Sequence, residues 1–174
     1  MTHPTCAAIR LARPQDLETI RRIEQLSAAR MRDTAYPYIA DDEPTDLESL
    51  AARLAAGGLL VACDGADAPI AQVMFRPLRE AWYVEQLDVL PAWAGRRIGA
   101  ALLDAVAARA RAASIGALVL STFIDVPFNA PYYRRLGFDD LADGALDDEL
   151  RAIRAEHVLR GLDETRRVFM RRSV

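Results

Sequence analysis

The clearest opportunity for chemistry in this chain is a turn rich in glycine and arginine, Ala94-Gly95-Arg96-Arg97-Ile98-Gly99-Ala100. It stands directly before a run in which Ile98, Leu102, Val106 and Ala110 recur at helical spacing. A helix N-terminus presents unpaired N–H groups and a partial positive charge, so a glycine-containing turn leading into one suits an anion. Two arginines strengthen that reading, because guanidinium pairs well with phosphate. Neither G-x-x-x-x-G-K-[ST] nor G-x-G-x-x-G is present, so the corner is not a P-loop or a dinucleotide fingerprint. Taken alone, it reads equally as a solvated turn before a helix.

A second cluster lies in Asp33 to Thr45, DTAYPYIADDEPT, where two prolines and several acids mark a loop. It carries Tyr36, Tyr38, Asp41, Asp42 and Glu43. One reading is a solvated loop that caps the next helix through Thr45 and Glu48, which have capping-box spacing. The other is a substrate wall, with Tyr36 and Tyr38, that favours a cationic amine. The two cysteines, Cys6 and Cys63, form no C-x-x-C, so neither a disulfide framework nor a metal site is expected. Cys usage is compatible with a reducing cytoplasm.

The elements that must position these residues follow from periodicity. Ala7 to Ala12 is a first strand, and Leu17, Ile20, Ile23 and Leu26 stripe a helix. Leu47 to Ala56 is a second helix, stopped by Gly57-Gly58. Leu59 to Cys63 and Pro69 to Phe75 form an antiparallel hairpin about the turn Asp64 to Ala68. Val84, Leu87, Val89 and Leu90 mark a strand that Pro91 ends. The helix after the corner closes near Ala113, and Ala117 to Thr122 is a buried strand. A strand, crossover helix and strand make a right-handed parallel unit, with ligands at the carboxyl ends of the strands. Phe128 to Arg135 is a short helix with Asn129 as a candidate cap, Phe138 begins a short strand, and Asp147 to Gly161 is a last helix. Arg167 to Arg171 alternates like a terminal strand.

At 174 residues, with 52% hydrophobic and 27% charged residues, the chain suits one soluble α/β domain spanning residues 1–174. A formal net charge of -3 argues against a nucleic-acid-binding surface. No apolar stretch approaches a membrane span, and the N-terminus lacks the apolar core of a signal peptide. A cytoplasmic location is therefore expected.

The corner AGRRIGAALL and the later FNAPYYRRLGF, separated by one helix and one strand, resemble the two cofactor-binding motifs of the GNAT superfamily of acyl-CoA-dependent N-acetyltransferases. The first motif in that family is Q/R-x-x-G-x-G/A. Ala94 stands at its Q/R position, Arg97 at its first glycine and Gly99 at its final small residue, so two of three marked positions depart from the pattern. The second motif, Asn129 through Tyr133 to Leu136-Gly137-Phe138, matches throughout. The order of elements is also similar over nearly the whole chain.

The resemblance implies a mixed central sheet of six to seven strands with flanking helices, and acyl-CoA in the splay between two central parallel strands. It implies acetyl-CoA as donor and a small-molecule amine as acceptor. The pyrophosphate would lie on Ala94, Gly95, Arg96, Arg97, Ile98, Gly99 and Ala100, and the pantetheine arm along Leu87, Asp88 and Val89, with Asn129 and Tyr133 beside it. An amine would attack the thioester directly, so the ammonium must lose a proton, an oxyanion must be stabilised and the thiolate protonated. Tyr133, four residues before Gly137, stands where the family's catalytic tyrosine does, and a phenol with pKa about 10 can protonate a thiolate. Tyr132 competes, because adjacent helical residues point about 100° apart. Glu85 is the candidate base and a substrate contact, acting through water or with a raised pKa. His157 is an alternative base, its ordinary pKa of about 6.5 suiting the task. The oxyanion donor is the backbone N–H near Val89. Rival readings are a protein N-terminal or lysine acetyltransferase and a non-catalytic acyl-CoA-binding module. A homodimer through the C-terminal strand is also compatible.

Overall fold

The computed structural model describes residues 7–174, so Cys6 lies outside the described residues. The chain forms two compact units, 7–76 with Val84–Arg109 and Pro77–Tyr83 with Ala110–Val174.

In the first unit, β1 (Ala8–Leu11) pairs antiparallel with β2 (Leu59–Cys63), and β2 pairs antiparallel with β3 (Pro69–Pro77). Every residue of β2 is buried, which its unbroken apolar run LLVAC allows. The β2–β3 turn is closed by the Asp64 carboxylate, which accepts from the amides of Ala66 at 2.9 Å and Ala68 at 3.0 Å. Helices α1 (Leu17–Ala28) and α2 (Leu47–Ala55) lay Leu17, Ile20 and Leu50 on Leu59, Val61 and Cys63 of β2. Cys63 is a free thiol in this core, where it packs as a small apolar residue. Strand β4 (Trp82–Val89) and helix α3 (Ile98–Ala112) flank the glycine corner.

Between α1 and α2 the expected loop is partly wound into 3-10 turns, Ala29–Asp33 and Pro37–Asp41. The cap of α2 differs from the capping box expected at Thr45. Asp46 is the N-cap, its side chain accepting from Ser49 N–H at 2.8 Å. Thr45 is held elsewhere, because its hydroxyl and amide both donate to Glu24 of α1, at 3.1 and 3.0 Å.

In the second unit, β5 (Ala117–Phe123) pairs antiparallel with β7 (Arg167–Ser173) along seven residues. The two-residue β6 (Asp139–Asp140) covers part of the other edge of β7, opposite Arg171 and Met170. Helix α4 (Ala130–Arg135) precedes β6, and α5 (Asp148–Leu159) follows it. The core of this unit joins Tyr83, Ala117, Val119, Leu146, Leu150, Ile153 and Phe169.

The seven strands follow the order β1-β2-β3-β4-β5-β7-β6, which bears out the expected α/β fold with a mixed sheet and flanking helices. No helix among the described residues is long and apolar enough to cross a membrane.

Candidate active site

After β4 ends, Pro91–Trp93 makes a 3-10 turn, and the chain then passes through Gly95 at φ +75° and Arg97 at φ +60°. The first bond of the α3 ladder in the corner is Ala101 N–H to Arg97 O, at 3.0 Å. The amides of Ile98, Gly99 and Ala100 therefore come ahead of the first intrahelical donor. A side chain placed on Gly95 would meet nothing within 4 Å, so this glycine serves the left-handed backbone and the face of the turn is open. Ala94, Arg96 and Arg97 are exposed. The Arg96 guanidinium lies 4.6 Å over the Trp93 ring and donates to Ala92 O at 3.4 Å, which holds its charge beside the turn. Leading amides, helix dipole and two guanidinium groups together are the donor set that a diphosphate needs.

On β4 of the same unit, Leu87 and Val89 are half-buried and Asp88 is buried. Glu85 is half-buried against two arginines. Arg53 of α2 donates from Nη2 to Glu85 Oε1 at 3.0 Å, and its Nε lies 2.7 Å from Oε2, close but with the N–H directed off that oxygen. Arg76 Nε lies 3.4 Å from Oε1. Glu85 thus already has a cationic partner, and an acceptor ammonium would compete with it. Asp88 has different company. Gln72 Nε2 on β3 donates to Asp88 Oδ2 at 2.7 Å. Burial, and then the charge of Glu24, pushes the Asp88 carboxyl up to about 6, against the opposing hydrogen bonds from Gln72, Gln86 and Ser27. Sequence reasoning placed Asp88 only as backbone for the cofactor arm. An acid inside an apolar strand was the available signal, since Asp is rarely buried without a reason.

Of the loop residues, Tyr36 is buried and Tyr38 is 48% exposed. Asp41, Asp42 and Glu43 are all exposed, and Asp41 is paired with Arg32 at 2.6 Å.

In the second unit, Asn129 occupies the N-cap of α4, but its side chain makes no capping bond; its carbonyl accepts from Tyr132 and Tyr133 N–H at 2.8 and 3.0 Å. Tyr132 and Tyr133 are both half-buried, with ring centroids 5.4 Å apart in an edge arrangement. Tyr133 also meets the Phe138 ring edge-on at 5.7 Å, while Tyr132 lies 5.9 Å from the Arg135 guanidinium. His157 is buried and engaged at both ring nitrogens, Nε2 with Tyr83 Oη at 3.2 Å and Nδ1 with Glu164 Oε1 at 2.8 Å. Its ring stacks on Phe169 at 6.1 Å, and Arg154 and Arg167 flank Glu164. That network packs α5 onto β7 and occupies the histidine read as an alternative base.

The profile of the acetyltransferase (GNAT) family matches residues 23–138, a span that contains β4, the corner, Asn129 and Tyr133. The chain belongs to the acetyltransferase (GNAT) family and is an acetyltransferase. Solved structures repeat the fold at low identity. A PaiA N-acetyltransferase from Thermoplasma acidophilum, in complex with coenzyme A, superposes with TM-score 0.73 at 16% identity, covering 98% of this chain and 100% of that one. A GNAT-family acetyltransferase from Staphylococcus aureus Mu50 gives 0.71 at 16% identity, over 95% and 98%. Rv2747 of Mycobacterium tuberculosis, solved with CoA, gives 0.70 at 16% identity, over 96% and 99%.

Proposed function

We propose that this protein moves the acetyl group of acetyl-CoA to a primary amine of a small molecule by direct attack, as a single N-acetyltransferase domain. The observation that carries the reading is the corner, where the leading amides of α3 follow two left-handed residues and two guanidinium groups. Acetyl-CoA supplies an activated thioester and a diphosphate that anchors it. Gly95 to Ala100, entered through Ala94, receive the diphosphate, with Arg96 and Arg97 adding charge. The backbone of Leu87, Asp88 and Val89 pairs with the amides of the cofactor arm, as an added strand would. The Asn129 side chain, unused as a cap, bonds the same arm. Tyr133 gives its phenolic proton to the departing sulfur. The amide near Val89 faces the oxygen on which charge develops. Proton acceptance from the amine falls to β4, which carries two carboxylates, Glu85 and Asp88. Tyr36 and Tyr38 line the acceptor's path from the α1–α2 connection.

Thiol release from acetyl-CoA, followed over a panel of polyamines, amino acids, aromatic amines and short peptides, tests the reading. Turnover with a small amine and none with peptides is expected. Acetyl-CoA binding without release on any member would make the protein an acyl-CoA-binding module instead. Turnover confined to peptides would make it a protein acetyltransferase.

A further inference from the structure

We infer that the buried pair Asp88 and Gln72 receives the acceptor's ammonium group, and that Asp88 takes its proton before attack. This rests on the acetyl-transfer reading above.

Three observations within the first unit converge on it. First, Asp88 is only 6% exposed, yet no cation among the described residues pairs with it; its recorded partners are the neutral side chains of Gln72, Gln86 and Ser27. A buried carboxylate normally has a cationic partner or a metal. Its charged neighbour, Glu24, is itself an acid and makes the position more negative. Second, Gln72 is 1% exposed, and while its Nε2 serves Asp88, its Oε1 meets no donor from the protein. A buried acceptor without a donor is a costly arrangement that persists where something else completes it. Third, the other candidate bases are occupied, Glu85 by Arg53 and Arg76 and His157 at both nitrogens.

A protonated primary amine is the complementary ligand. It brings the missing positive charge and three N–H donors, enough for the Asp88 carboxylate and Gln72 Oε1 together. A hydroxyl or an amide brings neither the charge nor the donor count, so the pair selects cationic amines over alcohols. Asp88 also lies on β4 between Leu87 and Val89, the residues whose backbone is assigned to the cofactor arm.

The protons balance. The ammonium gives one proton to Asp88 and becomes the free amine. The nitrogen lone pair forms the C–N bond to the acetyl carbon as the C–S bond breaks. The second N–H proton replaces the phenolic proton that Tyr133 gives to the departing sulfur, so coenzyme A leaves as the thiol and the phenol is restored, and Asp88 returns its proton to water. A carboxyl whose pKa lies near 6 is a better acceptor for this step than an ordinary carboxylate.

The test compares Asp88→Asn, Gln72→Leu and Glu85→Gln on the best amine of the panel. Asp88→Asn should lower kcat/KM for the amine about a hundredfold, leave acetyl-CoA affinity within about threefold, and abolish the acid limb of the wild-type pH profile. Gln72→Leu should raise KM for the amine about tenfold with kcat little changed. An independent readout is the 13C carboxyl titration of Asp88 in the wild-type protein. Propylammonium chloride should lower its midpoint and propanol should not. Asp88→Asn at wild-type activity with an unchanged pH profile, or an Asp88 titration indifferent to propylammonium, overturns the inference while leaving acetyl transfer intact. A wild-type protein that acetylates no amine overturns both.

Discussion

Arg53 meets both carboxylate oxygens of Glu85, with Nη2 at 3.0 Å from Oε1 and Nε at 2.7 Å from Oε2. Arg76 approaches the same group at 3.4 Å. The strand β4 therefore carries two acids in opposite electrostatic settings. Glu85 is compensated by two guanidinium groups, whereas Asp88 lies beside Glu24 with neutral donors only. The same strand can in this way fix structure at one acid and keep the other for a transferable proton.

Glu85→Gln separates the two roles. Removing the charge takes from Arg53 and Arg76 the carboxylate they share, and all three side chains are half-buried. A loss of about 1–2 kcal/mol in stability follows, less than for a fully buried pair because both arginines reach water. Urea denaturation measures it. In the same variant kcat/KM for the amine should fall less than about tenfold, well short of Asp88→Asn.

The corner gives a paired prediction in backbone terms. Arg97 stands at φ +60°, where the related motif has glycine, and a left-handed residue with a side chain is strained by about 1 kcal/mol. Arg97→Gly should therefore stabilise the fold by about that amount and tighten acetyl-CoA, because closer approach of the phosphate to the backbone outweighs the loss of an exposed, solvent-screened guanidinium. Gly95→Ala, at φ +75° with open space around it, should cost about 1 kcal/mol from the backbone alone. Thermal melting and calorimetric titration with acetyl-CoA check both.

Stability should depend on pH through Asp88 in an unusual direction. Its folded pKa of about 6 lies above the ordinary 3.8, so the fold prefers the protonated acid. The contribution is fully present below about pH 4 and is lost as pH rises through 6, to a total of about 3 kcal/mol as an upper figure. Asp88→Asn should then be more stable than wild type at pH 8 and equal to it at pH 4. Denaturant midpoints at the two pH values decide this, and a gap independent of pH would refute it.

Tyr133→Phe should lower kcat about a hundredfold with acetyl-CoA affinity little changed, and Tyr132→Phe should lower it less than about threefold. Stopped-flow thiol release separates them. The reverse order would assign the acid to Tyr132, which like its neighbour is half-buried.

The parts of the fold legible in the sequence were those with local causes. The helix stripe after Ile98, the unbroken run of β2 and the short helix before Gly137 announce themselves within a few residues, and so did the corner. What escaped was set by distant partners. Thr45 and Asp46 are both good caps; Glu24, 21 residues upstream of Thr45, decides between them by taking the threonine hydroxyl. Glu85 was readable as a base on its strand, but not as the partner of Arg53, 32 residues away. Asp88 needed Gln72, 16 residues earlier, to be seen as a buried polar pair and not one more strand residue. His157 likewise reads as a free imidazole until Tyr83 and Glu164 are brought to its two nitrogens.

Direct transfer to an amine is tested most plainly with acetyl-CoA labelled at the carbonyl carbon, the best acceptor of the panel, and mass spectrometry of both product and protein. The chain contains no lysine, so adventitious side-chain amide labelling cannot obscure the result. The label should appear wholly on the amine nitrogen, with intact protein unlabelled at every time point. Label retained on a cysteine, serine or tyrosine and then passed on, or released as acetate with no acetylated amine, would contradict the account.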